Sequence, residues 1–404
     1  MNLLTGKNRT TWLGLILASV YMVSYLTRIN FGAIISEMEQ STGISRSLLS
    51  LSLSGSAVTY GIGQVLSGVT VDRVSPKKLI SCGLFITSCM NLLLPLCGSP
   101  MLMLCAWCVN GFAQSMMWPP TVKIMTQMLD DEEYKRTAVI VSWGSSVGTI
   151  LVYLVSPLII SLMNWKWVFW ISSVIGASVL VVWQRFPKVP VAVKTVSAEQ
   201  KSSAKLLFTP VMFGIMVAII LQGMLRDGVT TWLPSYIQEI YHWDTAASIL
   251  TAVILPVFSI ISFHLAARLY RSVLKNPMLC SGAFFGLGCL FALVLYFVTG
   301  RNAAVSVLSA AVLTGAMHGV NMMLITMVPP YFKRFGLTGT ASGVLNSCTY
   351  IGSAVFTYGV AVISADLGWK NTVLIWAVIA LIGTLLCVGS IRSFRKQFDE
   401  NVTE

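Results

Sequence analysis

Apolar runs of about 20 residues, the length that crosses roughly 30 Å of hydrocarbon, recur along the whole chain with only short polar clusters between them. They lie near residues 12–36, 48–71, 79–98, 101–129, 138–163, 167–185, 206–236, 245–268, 278–299, 303–331, 338–363 and 369–391. Ten-residue alternation of the outer-membrane barrel kind is missing, so the pattern predicts long helices. The first run is too long for a signal-peptide core and lacks a small-residue cleavage site, which predicts a retained helix. The expected fold class is an all-α membrane protein with twelve transmembrane helices.

Composition strengthens this expectation, because 55% of the 404 residues are hydrophobic and only 10% are charged. A water-soluble fold of this length could not bury so much apolar surface. The net charge of +12 raises the question of a nucleic-acid partner, and the placement of the basic residues answers it. Alternate loops and both termini collect twenty Lys and Arg, among them Lys7, Arg73, Lys77, Lys135, Lys333 and Arg392. The opposite side has four, Arg46, Lys166, Arg301 and Lys370. This positive-inside bias predicts a multi-pass protein of the cell inner membrane with both termini cytoplasmic, and its partner is the lipid bilayer rather than nucleic acid. The nine cysteines all fall within apolar runs, where they act as small hydrophobes, and no metal or cofactor is implied.

Residues 185–205, "RFPKVPVAVKTVSAEQKSSAK", form the longest polar interior segment. They predict two pseudo-symmetric six-helix bundles, residues 1–185 and 206–404, joined by a cytoplasmic central loop at 186–205.

Intramembrane charge is costly and marks function. Removing the loop residues from the 27 Lys and Arg leaves Arg28, Lys123 and Arg226. Lys123 sits near a helix end and is expected to snorkel to the interface. Arg28 and Arg226 lie deeper, each on the first helix of its half, and are expected to face each other across a central cavity. Two guanidinium forks would bind a small dianion such as a phosphate. Of the fifteen acids, only Asp227 lies inside an apolar run. It is a candidate for coupling, although about 100° of helix separates it from its neighbour Arg226, so it need not share that face. Tyr21, Tyr25 and Arg28 fall on one helical face, and Gln222 and Thr230 lie one turn either side of Arg226. His264 and His318 complete the titratable groups in the membrane.

Several stretches resemble a known family. "GVTVDRVSPKK" resembles the loop between the second and third helices of the major facilitator superfamily. "YLTRINF", "YGIGQVLSGVTVDR", "NGFAQSMMWPP" and "LRDGVTTWLPSYIQE" are similar to the organophosphate:phosphate antiporters. That resemblance implies the two-bundle fold, with Arg28 and Arg226 as phosphate ligands accompanied by Tyr21, Tyr25, Trp118 and Tyr350. It also implies Gln64 where the glycerol-3-phosphate pattern has a lysine, Ser145 where it has a histidine, Thr231 in place of an acid and Asp227 in place of an aromatic. Asp72 and Arg73 become gating residues.

The expected function is secondary transport, not catalysis: a monomer exchanging an organic phosphate ester for inorganic phosphate by alternating access. The alternatives are a proton-coupled organic-anion (carboxylate or uronate) symporter and a non-transporting sugar-phosphate sensor.

Overall fold

The computed structural model describes residues 7–185, 204–243 and 251–398. The predicted central loop therefore lies almost wholly outside the described residues, as does the start of the eighth apolar run. Every described regular element is helical, so the fold is all-α, and each of the twelve apolar runs carries a helix.

In the first half these are α1 (Lys7–Ala33), the short α2 (Ile35–Thr42), α3 (Arg46–Val71), α4 (Pro76–Leu93), α5 (Pro100–Gln114), α6 (Trp118–Met128), α7 (Asp131–Leu162) and α8 (Trp165–Arg185). The second half has α9 (Pro210–Tyr241), α10 (Ile254–Leu269), α11 (Pro277–Val298), α12 (Ala303–Asn321), α13 (Thr338–Gly389) and the short α14 (Ile391–Phe398). Nine described helical segments are long and apolar enough to cross a membrane. The fourth run is split between α5 and α6 by a turn just before Trp118-Pro119-Pro120, because proline cannot donate to the preceding turn. The last two runs join in α13, which breaks only at Gly368, where φ is 77°.

Local signals start the helices where the sequence changes character. Asp130 caps α7 by accepting from the Glu133 amide at 2.8 Å, and the Glu133 carboxylate accepts the Asp130 amide in return. This capping box sits among acids that suit the positive end of the helix dipole. Thr209 and Asn276 cap α9 and α11 just ahead of Pro210 and Pro277, and proline is well suited to a first helical position, where its missing N–H costs nothing.

The described chain packs as two units. The first holds Met1–Lys201 together with Phe332–Ser347, and the second holds Ser202–Tyr331 with Cys348–Glu404. Helix α13 thus begins in the first unit and continues into the second.

The first unit contains an apolar cluster that includes Phe31, Trp107, Trp165 and Phe169, with Phe31 and Trp107 ring centroids 5.0 Å apart. In the second, Trp369 donates to Glu239 at 2.6 Å, and the Tyr236 and Tyr241 hydroxyls both meet Ser306. Many large apolar side chains, such as Phe85, Leu96, Phe213 and Phe297, are exposed. Such a surface is stable in lipid and not in water.

Candidate functional site

In the first unit α1 presents Tyr21, Tyr25 and Arg28 as one continuous wall. The Arg28 guanidinium carbon lies 4.6 Å from the Tyr25 ring centroid and 4.7 Å from that of Tyr60 on α3. The Tyr21 ring meets Tyr25 at 5.2 Å and Trp118 at 4.8 Å. A guanidinium set between aromatic faces is stabilised by cation–π attraction, worth up to about 2 kcal/mol when desolvated, while its N–H edge keeps the fork geometry that oxyanions need. Tyr60 was missed in the sequence. Its signal was there, since it stands one turn before Gln64 on the same helix.

Gln64 is fully buried, and neither atom of its side-chain amide has a hydrogen-bond partner; the Trp118 indole N–H is likewise buried and unpaired. Buried polar atoms are normally paired, so such groups call for an explanation. Ser145 is different: its hydroxyl donates to the Ser142 carbonyl of its own helix at 2.7 Å.

Behind Arg28 lies a buried polar network the sequence did not reveal. The Thr27 carbonyl accepts from Asn91 and Asn110 side chains, each at 3.1 Å. The Asn30 side chain takes the Phe31 amide at 2.9 Å and donates to Asn91 at 2.8 Å. Gln114 donates to the Thr27 and Thr87 hydroxyls at 2.7 and 2.8 Å and accepts from Ser24. With little water to compete, a satisfied network of this kind is rigid. It fixes the rotation and depth of α1 at the residue that precedes Arg28.

At the end of the first unit that carries the basic loops, Asp72 closes α3 and is buried. Its carboxylate accepts the backbone N–H of Gly339 at 3.0 Å, the N–H of Thr340 at 2.7 Å and the Thr340 hydroxyl at 2.7 Å. It also pairs with Lys123 at 3.1 Å. Gly68 allows this approach, since a Cβ there would fall 2.5 Å from the Gly339 carbonyl oxygen. Lys123 therefore does not snorkel as expected. Its ammonium is buried, donating to the Val71 carbonyl at 2.6 Å, because an acid and a carbonyl compensate it more closely than the interface would. Arg73, the other gating candidate, is exposed.

In the second unit Arg226 and Asp227 on α9 face each other after all. The Arg226 side chain reaches back to give the carboxylate two hydrogen bonds, Nε to Oδ1 at 2.6 Å and Nη2 to Oδ2 at 2.9 Å. A long arginine stem spans the 100° that separates the two Cβ atoms. Ser353 on α13 and His318 on α12 lie near Asp227. Gln222 is fully buried and donates to the Met317 carbonyl at 3.2 Å, leaving its oxygen unpaired. Thr230 turns back to the Arg226 carbonyl at 2.6 Å, and His264 is exposed. Tyr350 is half-buried on α13, next to Thr349, where that helix crosses α9.

A family model, the Major Facilitator Superfamily, matches residues 17–357. The chain belongs to this superfamily. It is 22% identical over 397 residues to a probable hexose phosphate transport protein of Chlamydia muridarum (strain MoPn / Nigg), with 90% of this chain and 87% of that one covered. It is 24% identical over 366 residues to the glycerol-3-phosphate transporter of Bacillus subtilis (strain 168), covering 83% and 82% of the two chains. Among solved structures, the E. coli fucose:proton symporter superposes with a TM-score of 0.76 at 15% identity, over 94% of this chain and 99% of that one, a likeness of fold. The superfamily and the membrane-crossing helices make this chain a multi-pass membrane transporter.

Proposed function

We propose that the protein carries an organic phosphate ester across the inner membrane in exchange for inorganic phosphate, holding the anion with Arg28 of the first unit and Arg226 of the second. The observation that carries this reading is Arg28 itself, a permanent charge at membrane depth set between Tyr25 and Tyr60. Intramembrane arginines are expensive and earn their place through a ligand. Support comes from the names of the similar proteins, which handle hexose phosphate and glycerol 3-phosphate. Tyr21, Tyr25, Tyr60, Trp118 and Gln64 would complete the first unit's share of the site, and Gln222 and Tyr350 the second's.

Transport would follow from alternating access between two six-helix bundles, with both termini cytoplasmic. Asp72 would act as the gating residue through its hold on the first turn of α13. Exchange would outpace net movement, because bound anion offsets the repulsion between two arginines.

The experiment is counterflow: purified protein in liposomes preloaded with phosphate, given labelled phosphate outside with a panel of phosphate esters as competitors. Uptake that requires internal phosphate and is blocked by at least one ester fits the proposal; uptake driven by an imposed pH gradient without internal anion contradicts it. That second outcome would favour proton-coupled organic-anion symport, for which the Asp227 carboxylate is the observation on offer.

A further inference from the structure

Arg226 is paired with the carboxylate of the next residue, Asp227, whereas Arg28 lies against the Tyr25 and Tyr60 rings. The two α9 side chains are 12% and 27% exposed respectively, so the pair borders accessible space rather than being sealed in a core. Its surroundings are fixed by a close helix crossing. A Cβ on Gly223 would fall 2.2 Å from the Thr349 carbonyl oxygen, and one on Gly352 would fall 2.1 Å from that of Ile220. The two glycines therefore let α9 and α13 touch backbone to backbone, which brings Ser353 to Asp227 from α13 while His318 approaches from α12. The carboxylate is held in place opposite the fork, where it covers the Nε and Nη2 edge of the guanidinium.

We propose that Asp227 is a tethered counter-anion for Arg226, one that the transported oxyanion must displace, and that it makes the site selective for phosphate over plain carboxylates. The proposal rests on the reading of Arg226 as an anion ligand. A carboxylate attached one residue away is present at high effective concentration, so a free monocarboxylate offers the fork nothing that Asp227 does not already supply. A phosphate dianion does, because it carries more charge and more oxygens to share between donors. The same tether neutralises Arg226 when no substrate is bound, which lowers the charge repulsion in the unloaded carrier and lets some of it return empty. Asp227 thus sets how far exchange outpaces net flux.

The test measures labelled phosphate exchange and net efflux in proteoliposomes for wild type, Asp227→Asn and Asp227→Ser, with each protein first shown to be monodisperse. A hexuronate serves as the carboxylate probe. Removing the carboxylate is expected to lower the apparent KM for phosphate roughly tenfold, to raise the ratio of exchange to net efflux, and to make the hexuronate an inhibitor where it was not one. Wild-type exchange accompanied by an unchanged or higher KM, an unchanged flux ratio and no inhibition by the hexuronate in both variants overturns the proposal alone. No phosphate exchange by wild type overturns the phosphate reading and this proposal with it. Should Asp227→Asn fail to fold, Asp227→Ser gives the same comparison.

Discussion

Replacing Asp72 by asparagine changes one atom and leaves the shape of the side chain intact, yet it should disturb the transport cycle severely. The carboxylate takes four contacts, two from backbone N–H groups at the first turn of α13, one from the Thr340 hydroxyl and one from Lys123. Both members of the ion pair are about 95% buried. Removing one member of a buried pair costs about 3–5 kcal/mol, since the other charge is left uncompensated. Asparagine keeps one acceptor oxygen for the helix N–H groups, and the Val71 carbonyl still holds the Lys123 ammonium, so the lower end of about 3 kcal/mol applies. At 1.4 kcal/mol per factor of ten, the latched state loses roughly 150-fold in population. On the proposed gating role each cycle passes through that state, and exchange turnover in proteoliposomes should then fall at least about tenfold, with a smaller change in KM. Thermal unfolding should move in step, and Asp72→Asn combined with Lys123→Met should recover part of the loss. Turnover and melting temperature both equal to wild type would refute the latch.

Tyr60→Leu removes one face of the Arg28 sandwich, worth about 1 kcal/mol, and phosphate KM should rise about fivefold; an unchanged KM would mean that Tyr60 only packs. Gln64→Leu should raise the melting temperature of the unloaded protein, since it removes an unpaired buried amide costing about 1–3 kcal/mol, and should weaken phosphate binding in a titration. A lower melting temperature with normal binding would make Gln64 a packing residue. Ser145→Ala should leave exchange within about twofold of wild type, because its hydroxyl is satisfied within its own helix; a tenfold loss would return Ser145 to the site.

The membrane-spanning pattern was legible in the sequence because each helix must be apolar along its own length, a local property. Even the serine-rich α3 could be picked out by its run of small and apolar residues between Arg46 and Val71. The face formed by Tyr21, Tyr25 and Arg28 was legible for the same reason, as it depends only on helical period. What depended on another helix was not. Lys123 was read by its distance from a helix end, whereas its fate is decided by Asp72, 51 residues earlier. Asp227 was placed by the angle between Cβ atoms, which ignores the reach of an arginine side chain. The Thr27, Asn91, Asn110 and Gln114 network joins three helices, and its members look in sequence like scattered polar residues in apolar runs.

Whether two arginines bind the anion is decided by exchanging each for lysine, which keeps the charge and loses the planar fork. Labelled phosphate counterflow would be measured for wild type, Arg28→Lys and Arg226→Lys in liposomes preloaded with phosphate, with equal amounts of folded protein. Robust counterflow by wild type and a loss of at least about a hundredfold in each variant is the predicted result. Normal counterflow by either variant, or none by wild type, would contradict the paired-arginine site.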